Sequence, residues 1–346
     1  MAGTEEWMAF RDREKTRLTA TGLVACLFGQ DADGGGDYAG SARAFCLPVD
    51  VSSRNLHQSL RADALSYFES RAIHWHDGVE NGRRPSNHMC CSQSACVNAW
   101  FAFRQDRDAL RHILVDLGYP VQEVLPFAPD VAGRDHERDF VAFEWVGLRN
   151  YLKERTRGQV APDDGRSRGQ GFTSADFAFR FLRDDGRTQI VLGEWKYTEE
   201  YVSKGNMQFS NSKSKTDRLG IYAEYLRAAD SPIRLGSVGA EALFFDPFDQ
   251  LMRLQLLAHQ MELAHELNAD IVSVLHIAPR ANRELAKVTS PSLAAFGADP
   301  HAIWSRVVGD DHFLGCDFED LLPVLCRAAP LPAWADWMTL RYGGMS

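Results

Sequence analysis

The chain predicts an α/β protein, a mixed β-sheet flanked by helices, with a helical N-terminal extension. Three observations carry this. Apolar residues recur at helical spacing before residue 116, the period switches to two from residue 139, and a buried strand follows a helical stripe over 247–268. The 346 residues, 45% hydrophobic and 25% charged, suffice for a sizeable core and lie near globular averages. Length is compatible with two domains or one large one. We divide the chain into a helical extension over 1–90 packed on the core, an α/β core over 91–280, and a C-terminal extension of the same domain over 281–346.

The elements follow in order. Residues 52–73 read as a helix, with Leu56, Leu60, Ala64 and Phe68 every four residues. Ser92 predicts the N-cap of a second helix to about 116, stopped by Gly118 and Pro120. Residues 139–147 read as a strand, with Val141, Phe143 and Trp145 on one face and Phe140, Ala142 and Glu144 on the other. Residues 174–183 alternate Phe177, Phe179 and Phe181 against Asp176, Ala178 and Arg180. Asp184-Asp185-Gly186 turns this segment into an apolar strand over 188–197, completing a hairpin. Asp246 before Pro247 predicts an Asx-capped helix running to about 268, and residues 270–278 form a strand ended by Pro279. Beyond 280 the pattern weakens. Helix, three strands, helix, strand packs most simply as a mixed sheet, with a right-handed crossover between parallel strands.

No stretch approaches the roughly 20 apolar residues of a bilayer span, and the N-terminus lacks an apolar signal core. Seven Cys in no regular framework fit a reduced, cytoplasmic setting. The formal net charge of −9 argues against a general affinity for nucleic acid, but not against a local basic groove.

Asp176, Glu194 and Lys196 are the candidate chemical centre. Residues two apart in a strand share a face, so Glu194 and Lys196 project together, and the short turn brings Asp176 beside Glu194. Two neighbouring carboxylates suit a hard divalent cation such as Mg²⁺. A lysine beside them can orient or deprotonate the attacking water, or stabilise charge on a phosphate. Together they match metal-assisted phosphodiester hydrolysis. The competing reading is a Glu–Lys pair at the solvent end of a strand. Against it, Ile190-Val191-Leu192 just before reads as core, where ions are costly unless paired or metal-bound.

The segment GFTSADFAFRFLRDDGRTQIVLGEWKYTE resembles the active-site hairpin of the PD-(D/E)XK nuclease superfamily, the restriction-endonuclease-like fold with core order α-β-β-β-α-β. SNHMCCSQSACVN, FVAFEWVGLRNYLKE and FFDPFDQLMRLQLLAHQME are similar to bacterial proteins described as restriction endonucleases of that superfamily, so the resemblance covers roughly 50–280. It implies that Asp176 and Glu194 ligate Mg²⁺ (with Mn²⁺ as a substitute), that the carbonyl of Trp195 is a third ligand, and that Lys196 is the catalytic lysine. The chain departs from the pattern in three places. Ser174-Ala175-Asp176 replaces Pro-Asp. Gln93 and Asn98 stand where many members carry a helix Glu, so Glu144 is the candidate for the missing carboxylate. The second core helix offers Gln250, Arg253, Gln255 and Gln260 but no Tyr.

Residues 153–218 hold 13 Lys+Arg against 10 Asp+Glu, a local +3 in a chain of −9. Such a patch is what a phosphate-binding groove looks like, with Lys204, Lys213, Lys215 and Arg218 as backbone contacts, although a solvated loop has the same composition. Arg155, Arg157, Arg166 and Arg168 form a similar cluster. His74, His76, His88, Cys90, Cys91 and Cys96 match no zinc spacing. Arg83, Arg84 and His88 are read as a helix start that could face substrate. No P-loop occurs. Trp75, Trp100 and Trp145 read as core or rim aromatics, with Trp195 closer to the chemistry.

The resulting expectation is a Mg²⁺-dependent phosphodiesterase, a DNA endonuclease of restriction or defence type, the setting resting on the resemblance alone. The alternative is a catalytically inactive nuclease-fold module that binds nucleic acid, or a partner subunit of a larger complex. Cutting two strands often uses two active sites, which would make a homodimer the natural assembly, though no interface is legible.

Overall fold

The computed structural model describes residues 8–20, 22–127, 139–156, 159–163, 172–201, 210–211, 216–236 and 238–345. Helices α1 (Phe10–Leu18), α2 (Leu23–Phe28), α3 (Gln58–Ser70), α4 (Ser92–Trp100) and α5 (Arg107–Asp116) precede the main sheet. A small hairpin, β1 (Gly36–Tyr38) and β2 (Ser41–Arg43), lies between α2 and α3. The main sheet comprises β3 (Val121–Leu125), β4 (Val141–Trp145), β5 (Ala175–Arg183), β6 (Thr188–Trp195), β7 (Ile271–Ala278) and β8 (Phe313–Asp317). Helices α6 (Arg218–Arg227) and α7 (Phe248–Leu263) connect β6 to β7, α8 (Pro300–Val308) precedes β8, and α9 (Phe318–Ala328) and α10 (Pro332–Tyr342) follow it.

Strand order is β8-β7-β6-β5-β3, with β4 also on β5. The nine residues of β5 are longer than either neighbour. β3 pairs along Arg180–Arg183 and β4 along Ala175–Phe179, so two short strands share one edge. β5 and β6 form the antiparallel hairpin, while β6, β7 and β8 run parallel. The predicted α/β class and the order helix, strand, strand, strand, helix, strand are both present.

The sheet is apolar on both faces because helices cover both. One face carries Phe177, Phe179, Phe181, Val191 and Trp195 against Trp100, Leu110, Leu321 and Trp334, joining the N-terminal helices and α9–α10 to the sheet. The opposite face carries Ala178, Ile190, Leu192, Val272 and Val274 against Leu251, Leu254 and Ala258 of α7 and Trp304 of α8.

Several boundaries differ from the sequence reading. The predicted helix over 92–116 is two helices, because Asp106 accepts a hydrogen bond from the Ala109 N–H at 3.0 Å and caps a fresh start. The helix over 52–73 shortens to α3, capped by His57, with a 3₁₀ segment over Val49–Asn55 before it. Asp246 does not cap α7. Pro247 occupies the N-cap with no side-chain bond, and the helix ends at Leu263 rather than 268. The alternation in β4 breaks at Glu144, whose φ of +58° turns the strand over. Trp145 therefore packs on Phe127 and donates to Glu266 at 2.9 Å, while Glu144 faces α4. β3 and β8 escaped prediction. Each is five residues long with polar or glycine positions that blur a period of two.

Candidate active site

The hairpin register sets the site. Leu182 pairs with Thr188, and the ladder continues to Phe177 opposite Gly193, where it stops. The next residues outward are Asp176 and Glu194. With the ladder ended, the Trp195 N–H loses a backbone acceptor, and Asp176 Oδ2 takes it at 2.7 Å. The carbonyl of Trp195 points the same way as its N–H, into the gap that Asp176 fills. Gly193 is required by this packing. A Cβ there would meet the Phe177 ring at 2.1 Å, so only glycine lets the ring lie across β6.

Glu194 and Lys196 share a face as predicted, and Lys196 Nζ sits 2.7 Å from Glu194 Oε1 with side chains only 9% and 14% exposed. Burial disfavours the ammonium, but Glu194, then Glu199, Tyr201 and Asp176, outweigh it and hold the Lys196 proton above the usual lysine range. The segment beyond β6 is fixed on every side. The Lys196 N–H donates to the Ile277 carbonyl at 2.8 Å, Asn282 Nδ2 donates to the carbonyls of Tyr197 and Glu199, and Tyr197 Oη donates to buried Glu14 at 2.6 Å. The side chains of Trp195 and Tyr197 belong to the core. Trp195 lies edge-on to Phe318 at 5.1 Å and is no stacking platform.

Glu144, the expected fourth carboxylate, is buried and accepts a hydrogen bond from Gln93 Nε2 at 2.7 Å. The neutral amide that replaces a helix Glu in the sequence thus faces the carboxylate nominated in its place. Among the described residues no group of three or more His, Cys, Asp and Glu is close enough to hold a metal ion.

Residues not singled out from sequence surround the motif. His276 on β7 is in register with Glu194, on the same face of the parallel pair, and its Nδ1 lies 2.9 Å from His301 Nε2. Burial first, then His301 and Lys196, keep the His276 imidazole neutral. Asp249 on α7 holds Arg218 at 2.8 Å and Arg253 at 3.5 Å. The Asp246 carboxyl is pushed up by burial and by Asp249, with Lys196, Arg253 and Arg218 opposing. A histidine inside the mostly apolar strand IVSVLHIA is the available signal for His276. Asp246 was read only as a cap.

Of the proposed phosphate contacts, Arg218 is described. It is engaged with Asp249 at the start of α6 rather than displayed on an open loop. Lys204, Lys213 and Lys215 lie outside the described residues, as do Arg157, Arg166 and Arg168. The seven cysteines are free thiols, with Cys46, Cys90 and Cys96 buried. No helix among the described residues is long and apolar enough to cross a membrane.

A mixed sheet in which α4, β4, β5, β6, α7 and β7 follow an α-β-β-β-α-β order, with β3 added, and which carries Asp, Glu-x-Lys at the open end of its central hairpin, defines a protein of the restriction-endonuclease-like class. The chain belongs to the family described as Restriction Endonuclease associating with ARP, whose model matches residues 23–343. Searches of curated proteins and of solved structures returned no match.

Proposed function

We propose that the chain is a metal-dependent nuclease that hydrolyses phosphodiester bonds, with DNA as substrate and restriction or defence as its setting. The observation that carries this reading is the juxtaposition at the open end of the hairpin, where Asp176 is fixed on the Trp195 amide and Glu194 is paired to a buried Lys196. Carboxylate oxygens with a backbone carbonyl form a hard donor set suited to Mg²⁺, and water and phosphate would supply the remaining ligands. A buried polar atom nearby supports the fit. Tyr201 Oη, beside Lys196 and Glu194, has no hydrogen-bond partner among the described residues.

Asp176, Glu194 and the Trp195 carbonyl would hold the cation. A bound divalent ion would polarise the phosphate and favour an ionised nucleophile. Lys196, held beside Glu194, would stabilise the charge that builds on the phosphate oxygens and orient the attacking water. The Asn282 bonds hold the backbone of that lysine still. Glu144, tied to Gln93, is the candidate for a supporting carboxylate. In keeping with the family description, association with ARP is part of this proposal.

A second reading has one observation in its favour. The Glu194–Lys196 pair closes on itself and no cluster of three ligands is present among the described residues, as in a nuclease fold used for binding alone. Incubating supercoiled plasmid with the protein in Mg²⁺, in Mn²⁺ and in EDTA separates the two. We expect nicked or linear product with either ion and none in EDTA, and an Asp176→Asn protein that is inert. DNA binding indifferent to metal, with no product, supports the second reading instead.

A further inference from the structure

Resting on the reading of the chain as a nucleic-acid enzyme, we propose that a cleft beside the catalytic hairpin binds one unpaired nucleotide of the substrate, its base against an aromatic wall and its phosphate on Arg11, Lys15 and Arg43. The cleft has a volume of about 520 Å³ and lies between α1, the β1–β2 hairpin, the first turn of α4 and residues 198–199. That is the size range of small-molecule sites, and ample for a nucleotide.

The lining explains the ligand class. Tyr38 and Phe45 flank the His88 ring at centroid distances of 5.1 and 4.9 Å, forming a continuous aromatic wall. His88 Nδ1 accepts from the Cys90 N–H at 3.0 Å, which fixes the ring and leaves its proton on Nε2. Lys15 lies 4.5 Å above the Phe45 ring, and Arg11 reaches Glu200 at 3.4 Å. Arg43 is exposed on the hairpin and makes no ion pair among the described residues. Cations beside aromatic rings, on a chain whose net charge is −9, match a base with its phosphate. An apolar peptide would need neither cations nor the polar groups of Asp77, Ser86 and Thr198 that complete the lining.

The position explains the purpose. Thr198 and Glu199 follow Lys196 by two and three residues, and both line the cleft. Glu199 accepts a hydrogen bond from the Tyr197 N–H at 2.7 Å, so its carboxylate borders both the cleft and the exit of the catalytic strand. A nucleotide seated here is a near neighbour of the scissile phosphate. Unstacking costs least at an unpaired or mismatched base, so such a cleft selects distorted sites.

Fluorescence anisotropy in EDTA with the full chain tests this. The probes are two short labelled duplexes, one fully paired and one carrying a single unpaired nucleotide. The expected result is at least about tenfold tighter binding of the second duplex, the size of one base stacked on an aromatic ring. Arg43→Ala and Tyr38→Leu should each remove most of that preference while changing affinity for the paired duplex far less. Arg43 is exposed, so its variant keeps the test sound if Tyr38→Leu fails to fold. Equal affinity for both duplexes, or a preference kept by Arg43→Ala, overturns the cleft proposal and leaves the nuclease reading standing if plasmid is still cut in Mg²⁺. Binding of neither duplex overturns the proposal too, and absence of cleavage as well removes the nuclease reading.

Discussion

At the residue scale, one glycine and one aspartate decide whether the site exists. Gly193 lies under the Phe177 ring, and a methyl group there must push either the ring or the strand. Gly193→Ala should therefore destabilise the fold by about 1–3 kcal/mol, the usual scale of overpacking, and chemical denaturation would measure it. Combining it with Phe177→Leu should restore part of the loss; strictly additive effects would show that the two do not meet. Asp176 performs two tasks, since it presents a carboxylate and satisfies the Trp195 amide. Asp176→Asn can keep the hydrogen bond, so stability should change little. Asp176→Ala leaves a polar group unpaired at about 1–3 kcal/mol. Equal stability of the two variants would argue against that bond. The shared face of Glu194 and Lys196 was legible, because a period of two is a local property of strands. The turn of Glu144 toward Gln93 was not, because a φ of +58° at one residue leaves no mark on the pattern.

At the element scale, the hairpin was the most readable part of the chain and the connections around it the least. β5 and β6 are long, the first alternating and the second apolar throughout its middle, and they meet at Asp-Asp-Gly, so their pairing needed no tertiary information. β8 supplies the outer parallel strand next to β7, yet FLGCD carries too few apolar residues to announce it. The exit from β6 is likewise tertiary. Asn282, far along the chain, donates to the Tyr197 carbonyl at 2.9 Å and the Glu199 carbonyl at 3.0 Å, bracketing the residues after Lys196. We expect Asn282→Ala to lower kcat for cleavage more than it raises KM, because it loosens the lysine and touches no substrate. A change confined to KM would assign Asn282 to binding instead. The start of α7 shows how a correct local signal can mislead. Asp-Pro does mark the helix, but the carboxyl of Asp246 is placed among Lys196, Arg218 and Arg253 instead of on the first turn.

At the scale of the whole molecule, the N-terminal and C-terminal extensions meet beside α4. Arg341, fully buried on α10, donates to the Asn55 carbonyl at 2.8 Å, to the Asn55 side chain and to the Met89 carbonyl at 2.9 Å. Residues from both extensions share one apolar cluster with the sheet, so Arg341→Ala should lower global stability by several kcal/mol, as buried charge networks do when one member is lost. Loss of only the C-terminal helices, with the sheet still folded, would contradict this. Acid should weaken the fold as well. Burial, then Lys15, hold the His88 imidazole at about 4 against an ordinary 6.5. As pH falls through that window the unfolded chain binds a proton that the folded chain refuses, so stability declines from about pH 6.5 toward 4. His312, raised through Glu262, works in the opposite direction. The denaturation midpoint should accordingly be lower at about pH 5 than at about pH 7.5, and the fall should be shallower in His88→Gln; an unchanged slope in that variant would remove His88 as the cause.

The central claim is that Asp176, Glu194 and Lys196 form one catalytic centre at the open end of the hairpin. Its most direct test is the rate of plasmid nicking in Mg²⁺ by Glu194→Gln beside the wild type, with thermal unfolding of both recorded. Glutamine keeps the shape of the side chain and an acceptor for Lys196, so the account predicts a folded protein with cleavage reduced by orders of magnitude. A folded Glu194→Gln protein that nicks plasmid at the wild-type rate would contradict it.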